Sequence, residues 1–364
     1  MNVPKLRFKE FNDEYVKLKY KDVLKIKSGK DQKQVENKNG KYPILGTGGQ
    51  IGKTNSFLYD KPSVLIGRKG TINKPQYMES PFWTVDTLFY SHIYEPNIPK
   101  YLFYSFQNVN WKKYDESTGV PSLSSSTIEN VECNIPSPNE QIKVANFLSL
   151  LDKKIELQTK KIEDLKLFKK GFIEFEFSNS NYNEINLKEI LKERKTYSEK
   201  GLEFPHVTLS KDGIYDKTDR YNRDFLVKSD DKKYKITYLN DLCYNPANLK
   251  FGVICLNEYG SAIFSPIYVT FVIKNIANPK YIKYYVTRNN FINAIRKYEQ
   301  GTVYERMAVA PEDFLKFSIK LPNIEIQNKF VVKLSKLDQK IELENLKLSR
   351  YIKLKKGLMQ NMFV

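Results

Sequence analysis

Cysteine, histidine and tryptophan are scarce in this chain of 364 residues, which has three, two and two of them. Cys133, Cys243 and Cys255 are too few and too scattered for a disulfide framework, and with only His92 and His206 beside them no zinc-ligand spacing arises. Reduced thiols and no structural metal are expected. Long apolar runs are missing too. The most apolar stretch, Ser261 to Ile273, is too short to span a bilayer and contains Pro266, and Met1 to Phe11 has no apolar core. The expectation is a soluble, cytoplasmic chain with no membrane partner. Acid is in deficit, 42 Asp plus Glu against 60 Lys plus Arg, a formal charge of +18. Such an excess makes a polyanion the first partner to consider, nucleic acid before others.

What the chain does have is a repeat. Pro136 to Phe172 returns without a gap as Pro322 to Leu358, with Gln141/Gln327, Leu148/Leu334, Asp152/Asp338 and Lys154-Ile155-Glu156-Leu157/Lys340-Ile341-Glu342-Leu343 among the shared positions. Both copies close on Lys-Lys-Gly, at Gly171 and Gly357. In the first copy Val144, Leu148, Leu151, Ile155, Gln158, Ile162, Leu165, Lys169 and Phe172 alternate spacings of four and three, a heptad seam. Phe330, Leu334, Leu337, Ile341, Glu344, Leu348, Tyr351, Lys355 and Leu358 repeat that register, polar interruptions included. Two helices are predicted, each opening after a proline (Pro138, Pro322) and ending at its glycine as a C-cap. At about 1.5 Å per residue each spans roughly 50 Å, longer than a turn of B-DNA at about 34–36 Å. Seams of equal length fit two helices that pack on each other and relate the halves by a pseudo-twofold. Two ordinary amphipathic helices, each on its own domain, are the plainer alternative.

The rest of the repeat is weaker. Tyr15 to Lys27 and Tyr182 to Glu193 each read as a strand running into a short helix; PKYLFYSF from Pro99 and PKYIKYYV from Pro279 read as short helices on a sheet. Between Lys41 and Ser91 apolar runs are punctuated by Gly pairs and prolines, the mark of a β-rich domain. A Gly-centred loop follows in both halves, at Gly119 and Gly301, and leads through a short helix (Ser126 to Asn130, Glu312 to Leu315) into a strand. The fold class expected is α+β: two globular β-rich domains with a long helix after each, divided at 1–136, 137–177, 178–321 and 322–364.

Two motifs tempt and fail. Thr47 to Thr54 (TGGQIGKT) lacks the first glycine of a phosphate-binding loop, and a glycine-rich turn, next to DNA or in a hairpin, fits better. Asn245-Pro246-Ala247-Asn248 lacks the second proline and the aromatic of the amino-methyltransferase signature, and a turn held by an Asn side chain is the default. Neither histidine has a nucleophile beside it, so no catalytic residues are assigned. The candidates that remain are loop residues able to meet phosphates or base edges. They are Lys53, Thr54, Arg68, Lys69, Thr71, Lys74, Thr118 and Ser122 in the first half, and Asn248, Lys250, Thr302, Tyr304 and Arg306 in the second. Each also fits an ordinary solvated loop.

Variable domain, long helix, variable domain, long helix: this pattern resembles the specificity subunit of type I restriction-modification enzymes. The residues that carry it are IPSPNEQIKVANFLSLLDKKIELQTKKIEDLKLFKKGF from Ile135, LPNIEIQNKFVVKLSKLDQKIELENLKLSRYIKLKKGLMQNMF from Leu321 and the opening VPKLRFKEF from Val3. Asn139-Glu140-Gln141, the family's helix opening, becomes Glu325-Ile326-Gln327 in the second copy. The resemblance implies a non-catalytic reader of double-stranded DNA whose two target recognition domains each read half of a bipartite, asymmetric site. It implies helices packed as an antiparallel coiled coil and docked to two methylation subunits, which carry S-adenosylmethionine and methylate adenine N6. Restriction subunits with ATP and Mg would join them. A basic coiled-coil scaffold without sequence readout is the competing reading, and a free-standing methyltransferase the enzymatic one.

Overall fold

The computed structural model describes residues 3–178, 181–198, 204–217, 233–300 and 307–364. These fall into two compact units, one built from residues 1–161 and 344–364, the other from 162–343.

The first unit runs β1 (Val16–Lys19), β2 (Leu24–Lys27), β3 (Tyr42–Gly46), β4 (Gly49–Thr54), β5 (Ser63–Gly67), β6 (Gln76–Met78), β7 (Trp83–Thr84) and β8 (Leu88–Ile93). Then come α1 (Pro99–Asn108), α2 (Ser125–Asn130), β9 (Glu132–Ile135) and the start of α3 (Pro138–Ser178). Its main sheet has the order β2-β8-β5-β6, all antiparallel, beside a smaller sheet β4-β3-β7 and the pair β1-β9. TGGQIGKT is the turn and second strand of the β3–β4 hairpin, the expected alternative to a phosphate loop. Apolar faces of β2, β5 and α1 close one core around Tyr20, Phe106 and Trp111, which have no exposed surface.

The second unit runs β10 (Asn183–Asn186), α4 (Leu187–Ile190), β11 (Leu191–Glu193), β12 (Tyr197–Ser198), β13 (Val207–Ser210), β14 (Gly213–Asp216), β15 (Tyr234–Thr237), β16 (Leu242–Tyr244), β17 (Ile254–Leu256), β18 (Ala262–Phe264) and β19 (Val269–Ile273). It continues with α5 (Pro279–Val286), α6 (Asn289–Ile295), α7 (Pro311–Leu315), β20 (Ser318–Leu321) and α8 (Ile324–Met362). Its main sheet, β11-β19-β16-β17, has the order of the first unit's main sheet strand for strand. The two domains share a frame although their sequences diverge.

Within each unit, halves of the two long helices pack antiparallel. In the first, Asp152 meets Lys355 at 2.5 Å, Lys154 lies 4.6 Å over the Tyr351 ring and Gln158 Nε2 donates to Glu344 at 2.7 Å. In the second, Lys169 meets Asp338 and the rings of Phe172 and Phe330 stack at 5.4 Å. Val144, Leu148, Ile162, Phe330 and Leu334 are buried, and Leu151, Ile155, Leu165, Leu337, Ile341, Leu348 and Tyr351 half-buried. The matched polar interruptions of the seam are matched partners: Gln158 with Glu344, Lys169 with Asp338, Lys355 with Asp152.

The duplicated polar residues also fasten each helix to its domain. Gln141, buried, accepts from the Ile98 N–H at 2.9 Å and donates to the Pro136 carbonyl at 3.0 Å; Gln327 does the same with Asn278 and Pro322, at 2.8 Å each. Tyr104 of α1 donates to Asp152 at 2.7 Å, and Tyr284 of α5 to Asp338 at 3.1 Å. Where the copies differ, the surroundings differ. Glu140 is buried and takes two bonds of 2.8 Å from Arg7 and one of 3.0 Å from Tyr15, whereas its counterpart Ile326 is exposed.

One expectation is corrected. The long helices do not stop at Gly171 and Gly357 but continue to Ser178 and Met362. Phe172, Ile173 and Phe177 beyond the first glycine pack on the second unit's core, and Met359, Met362 and Phe363 beyond the other join the first unit's core. That burial outweighs the roughly 1 kcal/mol a mid-helix glycine costs.

Candidate nucleic-acid interface

In the first unit the loop between β5 and β6, residues 68–75, is crossed by the loop 115–123. The Arg68 carbonyl accepts from Leu123 N–H at 2.9 Å, Gly70 N–H donates to the Pro121 carbonyl at 2.8 Å, and Lys69 pairs with Ser122. Two glycines shape the first of these loops. A Cβ on Gly67 would stand 2.4 Å from the Thr71 carbonyl oxygen, and Gly70 has a φ of +88°. Asp115 closes the second loop: it accepts from Ser122 N–H at 2.9 Å and Ser117 N–H at 3.0 Å, and these bonds hold its carboxyl below the usual carboxylate range. Beside them lies the β3–β4 turn, where Gln76 Nε2 donates to the Gly46 carbonyl at 2.9 Å and Thr47 Oγ1 is 3.8 Å from where a Gly70 Cβ would be.

Arg68, Lys69, Thr71, Thr118 and Ser122 therefore come together on one knot of loops. Arg68, Lys69 and Thr118 are exposed, and neither Arg68 nor Lys69 has a carboxylate partner among the described residues. The sequence reading missed Thr47, although the Gly48-Gly49 pair beside it marked the turn. Lys53 is exposed but lies about 13 Å along β4 from that turn, at roughly 3.3 Å per residue. Lys74 is exposed at the far end of the β5–β6 loop. Thr54 is a correction: it is fully buried, and its hydroxyl oxygen accepts from Ser56 N–H at 3.0 Å. Its place as the last residue of β4 commits it to the fold, with no surface left for a ligand.

The second unit builds its knot at the same place in the sheet. The β16–β17 connection, 245–253, opens with Asn245, whose side chain accepts from Ala247 N–H at 3.1 Å and Asn248 N–H at 3.3 Å. The Asn-Pro-Ala-Asn motif is thus a capped turn, as its departure from the methyltransferase signature indicated. Asn248 is exposed, and Lys250 Nζ lies 5.3 Å over the ring of Phe251, itself 67% exposed. A large exposed aromatic beside a lysine is a pairing the sequence reading passed over. A second loop crosses here also: Val309 N–H donates to the Pro246 carbonyl at 3.3 Å, and Gln300 and Ala308 exchange bonds of 2.9 and 3.0 Å. Thr302, Tyr304 and Arg306 lie between them, outside the described residues.

His92 Nδ1 lies 3.1 Å from the Tyr59 hydroxyl, and His206 is edge-on to Tyr234. The three cysteines are buried with free thiols; burial pushes Cys133 and Cys255 up to about 12 and raises Cys243 well above its usual value. Buried, protonated thiols are inert. No helix among the described residues is long and apolar enough to cross a membrane.

Residues 12–167 match the family model of the type I restriction modification DNA specificity domain. The chain is 34% identical over 148 residues to the type I restriction enzyme MjaIX specificity subunit of Methanocaldococcus jannaschii, covering 37% of this chain and 34% of that protein. It is 23% identical over 155 residues to the EcoDI specificity subunit of Escherichia coli, covering 42% and 34%. Each match thus spans about a third of the curated relative's length. Among solved structures, the S subunit of a type I restriction-modification system from M. genitalium superposes with a TM-score of 0.61 at 16% identity, over 100% of this chain and 99% of that one. A chain from a study of complex assembly and conformational transition of the type I R-M system gives 0.57 at 11%, covering 95% and 96%. At these identities the superpositions speak for the fold. The resemblance read from the twin helices is borne out, and so is the α+β class.

Proposed function

We propose that this chain, in which residues 12–167 match a type I restriction modification DNA specificity domain, is the DNA-reading specificity subunit of a restriction-modification complex. One observation carries the reading. Two domains of unlike sequence bring a second segment across the same connection of the same sheet: Leu123 N–H donates to the Arg68 carbonyl in the β5–β6 loop of one, and Val309 N–H to the Pro246 carbonyl in the β16–β17 connection of the other. A common frame with different loop chemistry is what two unequal half-sites require. Lysine and arginine set the register on phosphates, while arginine, asparagine and threonine on loops match base edges in the major groove. Arg68, Lys69, Thr71, Thr118 and Ser122 read one half-site, and Asn248, Lys250 and the loop carrying Thr302, Tyr304 and Arg306 read the other.

The chain itself performs no chemistry in this proposal. Methyl transfer to adenine N6 belongs to two methylation subunits that hold S-adenosylmethionine, and ATP and Mg belong to restriction subunits. Outward apolar residues that occur in both helices supply the dock for the methylation subunits, among them Leu157 and Leu343, 56% and 58% exposed, and Phe168 and Leu354. Co-expression with candidate methylation subunits, followed by genome-wide mapping of modified adenines, is expected to give an asymmetric bipartite motif with half-sites centred roughly 10 bp apart. A single uninterrupted or palindromic motif counts against the proposal.

A further inference from the structure

Each unit holds a groove where the Lys-Lys-Gly stretch of a long helix passes the end of its short domain helix. In the first unit the groove is about 510 Å³ and its long-helix wall is Ile352, Lys355, Lys356, Met359 and Gln360. In the second it is about 440 Å³ and the wall is Lys166, Lys169, Lys170, Ile173 and Glu174. Those five positions are the repeat equivalents of the other five, one for one. The facing wall matches as well, Gln107 and Asn108 on α1 against Thr287 and Arg288 around the end of α5. The duplication has kept a concave feature, not only a seam.

The chemistry of both grooves is cationic. One lysine of each pair is committed inward, Lys355 to Asp152 and Lys169 to Asp338. The next, Lys356 and Lys170, is exposed and makes no ion pair among the described residues. Glu174 in the second groove is within 3.7 Å of Arg288, so its charge is offset. The first groove has no carboxylate in its lining, only lysines, amides and apolar groups. It is also continuous with the proposed reading surface, because Asn73, Lys74 and Pro75 on its rim belong to the β5–β6 loop that carries Arg68 and Lys69.

We infer that the two grooves are twin seats for the DNA sugar-phosphate backbone, gripping the duplex without regard to base sequence, the first of them directly beside its reading loop. Lysines and side-chain amides can meet phosphate oxygens, and contacts to phosphate carry no sequence information. Continuity with the 68–75 loop favours nucleic acid over an acidic protein segment. The inference rests on the DNA-reading function proposed above. It adds a reason for the final lysine of each Lys-Lys pair, which the packing leaves free.

The test is the full chain carrying Lys170→Gln and Lys356→Gln together, titrated with a fluorescent 40-bp duplex of random sequence at several KCl concentrations. The slope of log affinity against log salt is expected to become shallower by about 0.9 for each phosphate that is no longer neutralised, with the thermal melt unchanged. Lys160→Gln with Lys340→Gln, also exposed on the long helices but outside the grooves, is expected to keep the wild-type slope. A steep slope in the wild type that the Lys170/Lys356 pair leaves unaltered overturns the inference while the reading function stands. Loss of co-purifying methylation subunits with an unaltered slope overturns it in favour of a protein seat. A wild-type chain whose DNA binding ignores salt overturns both.

Discussion

Glu344 is the residue on which the middle of the helix pair turns. It is 4% exposed, on a seam position that an apolar side chain would ordinarily occupy, and it faces the repeat-equivalent Gln158. Hydrogen bonds from Gln158, then from Lys161 and Lys347, hold its carboxyl down to about 2. A folded-state value below the unfolded 4.5 means the stabilisation is complete above pH 4.5 and disappears as pH falls through about 2. Wild type is therefore expected to lose melting temperature between those values more steeply than Glu344→Gln, which has no proton to take up there. A difference between the two melting curves that stays constant across that window removes the assignment.

At the scale of elements, the long helices show how tertiary burial overrides a local stop signal. Lysines followed by glycine are a sound C-cap pattern, yet Gly171 and Gly357 sit inside continuous helix with nothing within 4 Å of where a Cβ would go. The aromatic and methionine residues beyond them decide the outcome, since Phe177 packs edge-on against Tyr281 and Phe363 stacks on Tyr101. Gly171→Ala and Gly357→Ala are each expected to stabilise by about 0.5–1 kcal/mol, read as a higher denaturant midpoint without a change in m-value. Destabilisation by either would mean that the glycine is required for local geometry.

At the scale of the whole molecule, the repeated frame makes the two domains exchangeable in principle. The main sheets have one strand order, and Gln141 and Gln327 fasten each domain to its long helix by the same pair of bonds. On the function proposed above, replacing Tyr15 to Asn134 with the corresponding domain of a characterised specificity subunit is expected to change one half of the methylated motif and leave the other half and the spacing intact. Motif mapping checks this, and a change in both halves would show that the domains do not read independently.

Much of this is legible in the amino-acid sequence. The heptad register, the matched length of the two seams, the short helices at Pro99 and Pro279, the hairpin at Thr47 and the turn at Asn245 all follow from spacing and from the conformational habits of glycine, proline and asparagine, which act over a few residues. Thr54 was misplaced because alternation along one strand cannot say which face a neighbouring segment will cover. Phe251 escaped for the converse reason, since most aromatics fill cores. The partnering of Gln158 with Glu344, the meeting of 68–75 with 115–123 and the kinship of the two main sheets were decided only by the tertiary structure. Each depends on residues far apart in the chain coming together, and no local pattern encodes which distant surface will arrive to bury a given side chain.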